Sequence, residues 1–259
     1  MLTRVMSFNL RQNVATDGEH AWPYRLKAVK ATIAYHDPDI IGIQEGLYDM
    51  LLDLDTLLPE YAWFGEGREG GKDGEFNAII YKRNKWSIVE GGNFSLSETP
   101  EQLGVTNWDS SHPRMCTWAI LKSNDGEQLL LFNTHLDHIS EEAQLKGIEL
   151  IQERMYSYKL KYGLSAILTG DFNVNPDHPV VKKLEHAGYI NAYSVVKEGS
   201  MSIGSTVHHF KGGYQGSTID YIFVSPDLAV NSVIIERRQF EGKYPSDHYP
   251  VLALVTRAR

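Results

Sequence analysis

Six apolar runs along this 259-residue chain are bordered by small clusters of acids, amides and imidazoles. "VMSFNLR" closes on Asn9 and Arg11, "IIGIQEG" on Gln44 and Glu45, and "LLLFNTHLDH" on Asn133, His135, Asp137 and His138. "AILTGDFNVNP" closes on Asp171 and Asn173, "GSTIDYIFVS" contains Asp220, and in "YPSDHYPVLALV" the pair Asp247-His248 precedes the run. An ionised carboxylate at the end of an apolar strand is costly to desolvate unless something pairs with it or uses it. Each cluster alone has an ordinary reading. Asn9 and Asp171 can be turn residues, Glu45 the acid of a helix start, His135 or His248 a structural histidine, and Asp220 the partner of Arg237 or Arg238. Together they ask for more. If the strands lie in packed sheets, their tips can converge on one rim, where the carboxylates would repel one another. A divalent cation removes that repulsion, and oxygen donors from acids and amides suit Mg²⁺ or Mn²⁺ rather than Zn²⁺.

Such tips need strands to hold them. Runs rich in Val, Ile, Phe, Tyr and Trp recur at Val5–Phe8, Ile40–Ile43, Asn77–Lys82, Trp86–Leu96, Met115–Lys122, Gln128–Thr134, Ser165–Thr169, Thr218–Ser225, Val233–Arg238 and Tyr249–Thr256, a composition that suits a pleated, half-buried surface. Asp125-Gly126 between two of them marks a hairpin. Helices are fewer. One is predicted around Leu26, Val29 and Ile33, with Pro23 near its start and Pro38 beyond its end. A second runs from Ser140 as N-cap to Gly163, with Leu145, Ile148, Ile151, Met155 and Tyr158 as its apolar stripe, and a third covers Pro179 to His186. Strands outnumber helices and one hairpin is antiparallel, so mixed sheets packed together with helices outside are expected, in one domain over residues 1–259.

Composition narrows the function. A formal net charge of -8 gives no general attraction to nucleic acid or an anionic membrane. The single cysteine, Cys116, excludes a disulfide framework, and its setting in "RMCTWAI" reads as a buried strand position rather than a nucleophile. No signal-peptide pattern or bilayer-length apolar run is present, which points to the cytoplasm without membrane insertion, and no protein partner can be inferred. "GEGREGGKDGEF" (Gly65–Phe76) is glycine-rich, but no Gly-Lys-Ser/Thr follows, so it is a poor phosphate cradle. Ser97–Arg114 is the other long loop.

In chain order, "FNLR", "IQE", "NTHLDH", "GDFN", "IDYIFVS" and "SDHYPV" resemble the motifs of the endonuclease/exonuclease/phosphatase superfamily, from Met6 to Val251. "WDSSHPR" and "YPSDHYPV" are most similar to its bacterial hydrolase branch, itself similar to the nocturnin-type deadenylase group. The resemblance implies an α/β (α+β) deoxyribonuclease I-like fold, a four-layer sandwich of two packed mixed β-sheets flanked by helices. It implies an Mg²⁺- or Mn²⁺-dependent hydrolase of phosphoester bonds. Glu45 would be the main metal ligand, with Asn9 beside it and Asp247 contributing directly or through water. Asp171 would orient and deprotonate the attacking water, Asn173 would hold a phosphate oxygen, His135 and His248 would donate to phosphoryl oxygens, and Asp220 would orient His248. Phosphoryl transfer does need a cation and donors aimed at the non-bridging oxygens. Asp247 and His248 can both face one cleft only if "PSDH" is still loop, because neighbouring side chains on a strand point to opposite faces. Asp137 and His138 match no part of the catalytic pattern and are expected to play surface or supporting roles.

The substrate is a separate question. A nuclease gripping a long strand needs a basic groove, and the pairs Lys182-Lys183 and Arg237-Arg238 are isolated. A small or medium phosphomono- or phosphodiester is therefore favoured over DNA or RNA. Arg114 is a candidate anion ligand, with a surface pairing to Asp109 as its alternative, and Trp108, His208 and Phe210 are candidates for lining the substrate cleft. A non-catalytic binding module with the same fold is the remaining alternative. It is disfavoured because metal ligand, base and both histidines are present together.

Overall fold

The computed structural model describes residues 2–196 and 203–258. Two six-stranded mixed sheets pack face to face, with helices outside each. The first sheet runs in the order β11 (Leu228–Ile235), β12 (Val251–Arg257), β1 (Leu2–Asn9), β2 (Ile40–Gln44), β4 (Ile79–Lys82) and β3 (Tyr61–Phe64). The second runs β5 (Trp86–Ser95), β6 (Met115–Ser123), β7 (Gln128–His135), β8 (Ser165–Asp171), β10 (Asp220–Val224) and β9 (Ile190–Asn191). This is the deoxyribonuclease I-like four-layer sandwich that the sequence led us to expect.

Alternation along β1 shows how the layers form. Val5 faces the core between the sheets, while Met6 and Phe8 face helices α1 (Trp22–His36) and α2 (Tyr48–Leu57). On the other side, Ile148, Ile151 and Met155 of α3 (Glu141–Tyr162) and Val180, Val181 and Leu184 of α4 (Pro179–His186) belong to the cluster that covers β7 and β8. Sheets covered on both faces explain the nearly continuous apolar runs in the central strands. Ser140 caps α3 by accepting from the Ala143 amide (3.1 Å), and Gly163 ends it in the left-handed region (φ 66°). Cys116 is fully buried, as its strand setting implied.

Several expectations move. α2 and β3 were not predicted: "YDMLLDLDTL" starts without a side-chain cap from its N-cap residue, Leu47. β12 begins at Val251, not Tyr249, and β11 ends at Ile235, because buried Glu236 turns the chain by bonding the Arg238 backbone and side chain.

Two rim amides turn out to join the sheets. Gln44 and Asn133 are both fully buried. Gln44 Nε2 donates to Asn133 Oδ1 (2.7 Å), and Asn133 Nδ2 reaches back to the carbonyls of Ile43 (2.7 Å) and Ala78 (3.1 Å). Thr169 Oγ1 donates to the same Asn133 oxygen (3.0 Å). The sheets meet so closely here that a Cβ at Gly42 would lie 2.0 Å from Thr169 Oγ1. This bonded network fixes the register of β2 against β7 and β8, and so the relative placement of their polar tips.

Candidate active site

Strand directions put the tips on one rim. β1 and β2 are parallel with Asn9 opposite Gln44, β7 and β8 are parallel with His135 opposite Asp171, and antiparallel β10 starts at Asp220, opposite Asp171. His248 and Asp247 arrive from the segment before β12, which is not strand, so both face the same cavity. That cavity holds about 500 Å³ and is lined by Glu45, His135, Asp171, Asn173, Asp247 and His248, joined by Arg11, Gln12, Arg68, Glu75, His112, Arg114, His138, Val207, His209 and Ile219.

Asp171 is the hub. Its Oδ2 accepts from Asn9 Nδ2 (2.9 Å) and lies 3.6 Å from His135 Nε2 and 3.7 Å from His248 Nδ1. Its Oδ1 accepts from the Asn173 amide (2.9 Å), a contact that depends on Asn173 taking a left-handed backbone (φ 54°). Burial, with Asp220 beside it, pushes the Asp171 carboxyl up to about 7, near the value that suits a general base at neutral pH. Asp220 is shut off from solvent and its Oδ2 pairs with His248 Nδ1 at 2.9 Å. Burial alone would lower His248, but Asp220 and Asp171 outweigh it and raise the imidazole well above its ordinary value. Neither of the expected arginines pairs with Asp220: Arg238 pairs with Glu236, and Arg237 bonds the carbonyls of Ile203 and Ser205. His135 is held well below its ordinary value by burial and by nearby Arg114, His248 and Arg68, and its buried Nδ1 has no hydrogen-bond partner.

Glu45 also sits in the left-handed region (φ 57°), accepting from Asn9 Nδ2 (2.9 Å) and from the Gln12 amide (3.1 Å). Arg11, Glu45, Asn173 and His209 thus place four non-glycine left-handed residues around one cavity, the kind of strain that concentrates at functional sites. Among the described residues, neither Glu45 nor Asp247 has a lysine, arginine or histidine within ion-pair distance. An all-oxygen set of Glu45, Asp247 and, with its amide turned over, Asn9 fits a hard divalent cation. A second candidate cluster, Asp171, Asp220 and His248, has its ligand atoms within 4.8 Å of one another. There the His248 nitrogen is already bonded to Asp220, which leaves the trio arranged as a carboxylate-supported histidine beside a second buried acid.

Arg114 lines the cavity but is paired with Asp137 (3.4 Å), not Asp109, and its Nη2 contacts His138 Nδ1 (3.1 Å). Asp137 takes the Ser111 amide (3.0 Å), the Ser111 hydroxyl (2.6 Å) and the Ser110 hydroxyl (3.1 Å), so its role is to pin the Ser97–Arg114 loop. Asn173 Nδ2 donates to the Leu136 carbonyl (3.0 Å), tying together the loops after β7 and β8. Trp108, His208 and Phe210, the expected cleft aromatics, are not among the lining residues. Trp108 lies under Lys146 of α3, His208 stacks on Tyr249 (3.9 Å between ring centres), and Phe210 stacks on His20 (4.4 Å). His112 and His209 stand at the mouth instead. The glycine-rich loop rejected as a phosphate cradle supplies Arg68 and Glu75, an ion pair at 2.9 Å.

Residues 6–248 match the Endonuclease/Exonuclease/phosphatase family, and the chain belongs to it. Members of this family hydrolyse phosphoester bonds. An endonuclease/exonuclease/phosphatase family protein from Bacteroides thetaiotaomicron has a similar structure at 35% identity and TM-score 0.91, with 98% of each chain covered. A mannosyl-6-phosphatase from B. thetaiotaomicron VPI-5482 is similar at 34% identity and TM-score 0.92, covering 98% of this chain and 99% of that one. The human nocturnin catalytic domain with bound sulfate shares the fold at 21% identity and TM-score 0.79, covering 99% and 94%. No match was found among curated proteins. Among the described residues, no helix is long and apolar enough to cross a membrane.

Proposed function

We propose that the protein is a divalent-metal-dependent phosphoesterase acting on a small phosphorylated substrate, a sugar phosphate foremost. The observation behind this reading is the buried Asp171, flanked by Asn9, His135 and His248, beside two cavity carboxylates that have no cation within ion-pair distance among the described residues. Glu45 and Asp247, with Asn9, would hold Mg²⁺ or Mn²⁺. When bound, the ion would neutralise the gathered carboxylates and the charge growing on the phosphoryl oxygens.

The protein's own groups do the rest. Asp171 takes a proton from the attacking water, with the Asn173 amide keeping its carboxylate aimed. General-base help of this kind contributes about 10²–10⁴-fold in rate. His248, held as imidazolium by Asp220, faces the developing anion, and neutral His135 offers one N–H. The second hydrogen of Asn173 Nδ2 is free to meet a phosphate oxygen, since the Leu136 carbonyl uses only one.

Two features favour a sugar phosphate over a nucleic acid. Among the described residues no Phe, Tyr or Trp lines the cavity, whereas base recognition relies on aromatic stacking. The 34%-identical structural relative is a mannosyl-6-phosphatase. We place its action in the cytoplasm, in keeping with its one buried thiol.

The test is hydrolysis of p-nitrophenyl phosphate and bis-p-nitrophenyl phosphate with Mg²⁺ or Mn²⁺, with and without EDTA. A panel of sugar phosphates, inositol phosphates, single-stranded RNA and DNA would follow. Metal-dependent turnover fastest on a sugar phosphate is the expected result. Cleavage of oligonucleotides that falls steeply with salt would replace this reading with a nuclease. No metal-dependent turnover of any phosphoester would leave a binding module.

A further inference from the structure

Helix α1 buries a charge on its apolar face. Between Trp22 and Val29 lies Arg25, fully enclosed, and among the described residues no carboxylate is within ion-pair distance of it. Burial draws the guanidinium down to about 10, while Asp247, Asp17 and, more weakly, Glu45 pull it back, so it is charged at neutral pH. A buried cation without a partner is unfavourable unless its donors are used.

Its guanidinium lies over the Trp22 and Phe210 rings (5.6 and 5.5 Å to the ring centres), and every hydrogen bond it makes is to backbone. Nη1 donates to the carbonyls of Leu10 (2.8 Å) and Pro245 (2.6 Å), Nη2 to Arg11 (2.8 Å) and Nε to His20 (2.5 Å). Leu10 and Arg11 follow Asn9 and precede Gln12, whose amide holds Glu45. Pro245 lies just before Asp247 and His248. Among the described residues, no other side-chain hydrogen bond joins these two segments, which are far apart in the chain. The planar fork suits this task, because it presents five donors in fixed directions, where lysine presents three about a single point.

We propose that Arg25 is a positioning residue for the divalent-cation site: by clamping the Leu10-Arg11 and Pro245 carbonyls at once, it sets the distance between Asn9 and Asp247. The inference rests on the metal-dependent reading above. It differs from a purely stabilising role in that R25K, which preserves the buried charge but not the fork, should fold and still mis-set the site.

The experiment is Mn²⁺ titration calorimetry on the wild-type protein, R25K and R25A, each shown folded by circular dichroism at the titration temperature. We expect both variants to bind Mn²⁺ about 10- to 100-fold more weakly than wild type, the loss usual when a group supporting metal ligands is removed. Millimolar guanidinium should restore affinity in R25A, and equal sodium chloride should not. R25K that is folded and binds within about twofold of wild type would overturn the inference alone, leaving the metal site standing. Wild-type protein that binds no Mn²⁺ would remove both. If R25A folds only with guanidinium present, R25K decides.

Discussion

The two ends of the first sheet carry cavities of comparable size and opposite character. Near the start of β1, Arg4, Asp37, Asp39, Lys82 and Lys85 line a depression of about 610 Å³, larger than the one around Asp171. Both aspartates there are answered, although Asp37 is left-handed (φ 49°) and exposed Glu60, also on the lining, makes no ion pair among the described residues. Lys82 meets Asp37 at 2.7 Å, Lys85 meets Asp39 at 2.9 Å, and the Arg4 amide donates to Asp39 at 2.8 Å. At the far end of the same strands, Glu45 and Asp247 have no such partners among the described residues, and the backbone is left-handed at Arg11 and Glu45, as it is at Asn173 after β8 of the facing sheet. Concavity is therefore not what marks a site. Unanswered charge held by costly backbone is, since a fold keeps such features only where something else compensates them.

The sharpest way to break this contrast is to neutralise one acid at each end. D171N should lower turnover of p-nitrophenyl phosphate by about 10²–10⁴-fold, the usual contribution of a general base. Because it removes one of several crowded carboxylates without changing shape, its melting temperature in EDTA should not fall. D39N should do the reverse, losing some stability with turnover unchanged. A D171N enzyme with nearly full kcat would refute the assignment of the base. H248A should rank next, costing about 10²–10³-fold in kcat, as for other lost donors to a developing anion. D220N should cost less than H248A, since it disturbs the imidazole's charge and aim but leaves it in place.

E45Q sharpens the comparison at the level of binding. Mn²⁺ affinity should drop by at least the roughly tenfold that even supporting residues cost, and calorimetry showing unchanged affinity would remove Glu45 from the ligand set. At the paired end, K85M should change stability by only about 0.2–1 kcal/mol in urea unfolding, because exposed ion pairs are screened and entropically costly. Lys85 is 41% exposed in its side chain, against 8% for Asp39, so the lower half of that range is expected.

How much of this was legible in the sequence follows the same division. The rim could be read because strand periodicity and polar endings coincide: Asp171, His135 and His248 each follow or precede an apolar run. Gln44 and Asn133 were misplaced for a physical reason. Each sits at a strand end in the sequence, yet the partner sheet covers it, and only the inter-sheet packing over Gly42 reveals that. Trp108, His208 and Phe210 were drawn to the cleft by residue type alone, but stacking on Lys146, Tyr249 and His20 satisfies them elsewhere. Arg25 left a trace that went unread, a charge one turn from Trp22 and Val29 on the buried face of a helix. Arg68 and Glu75 could not be assigned, because a glycine-rich loop has no period from which to infer direction.

One ion cluster away from both cavities allows a test of the electrostatics without touching the site. Glu236 is 4% exposed and bonded by His36 Nε2 (2.6 Å) and Arg238 Nε (2.8 Å). Burial would raise its carboxyl, but the Arg238 bonds prevail and bring it down to about 2. Burial also lowers His36, in spite of Glu236. Both shifts have the same consequence. The unfolded chain binds more protons than the folded one as pH falls, so the stabilisation is complete above the ordinary histidine value and drains away on acidification. Glu236 gives up its share between its ordinary value of 4.5 and about 2. Urea midpoints measured from pH 7 to pH 3 should therefore fall more steeply for wild type than for E236Q. The gap should amount to no more than about 1 kcal/mol, because Arg238 is exposed and its pairing is screened. A wild-type midpoint no steeper in acid than that of E236Q would show that Arg238 and His36 do not hold the Glu236 carboxylate ionised.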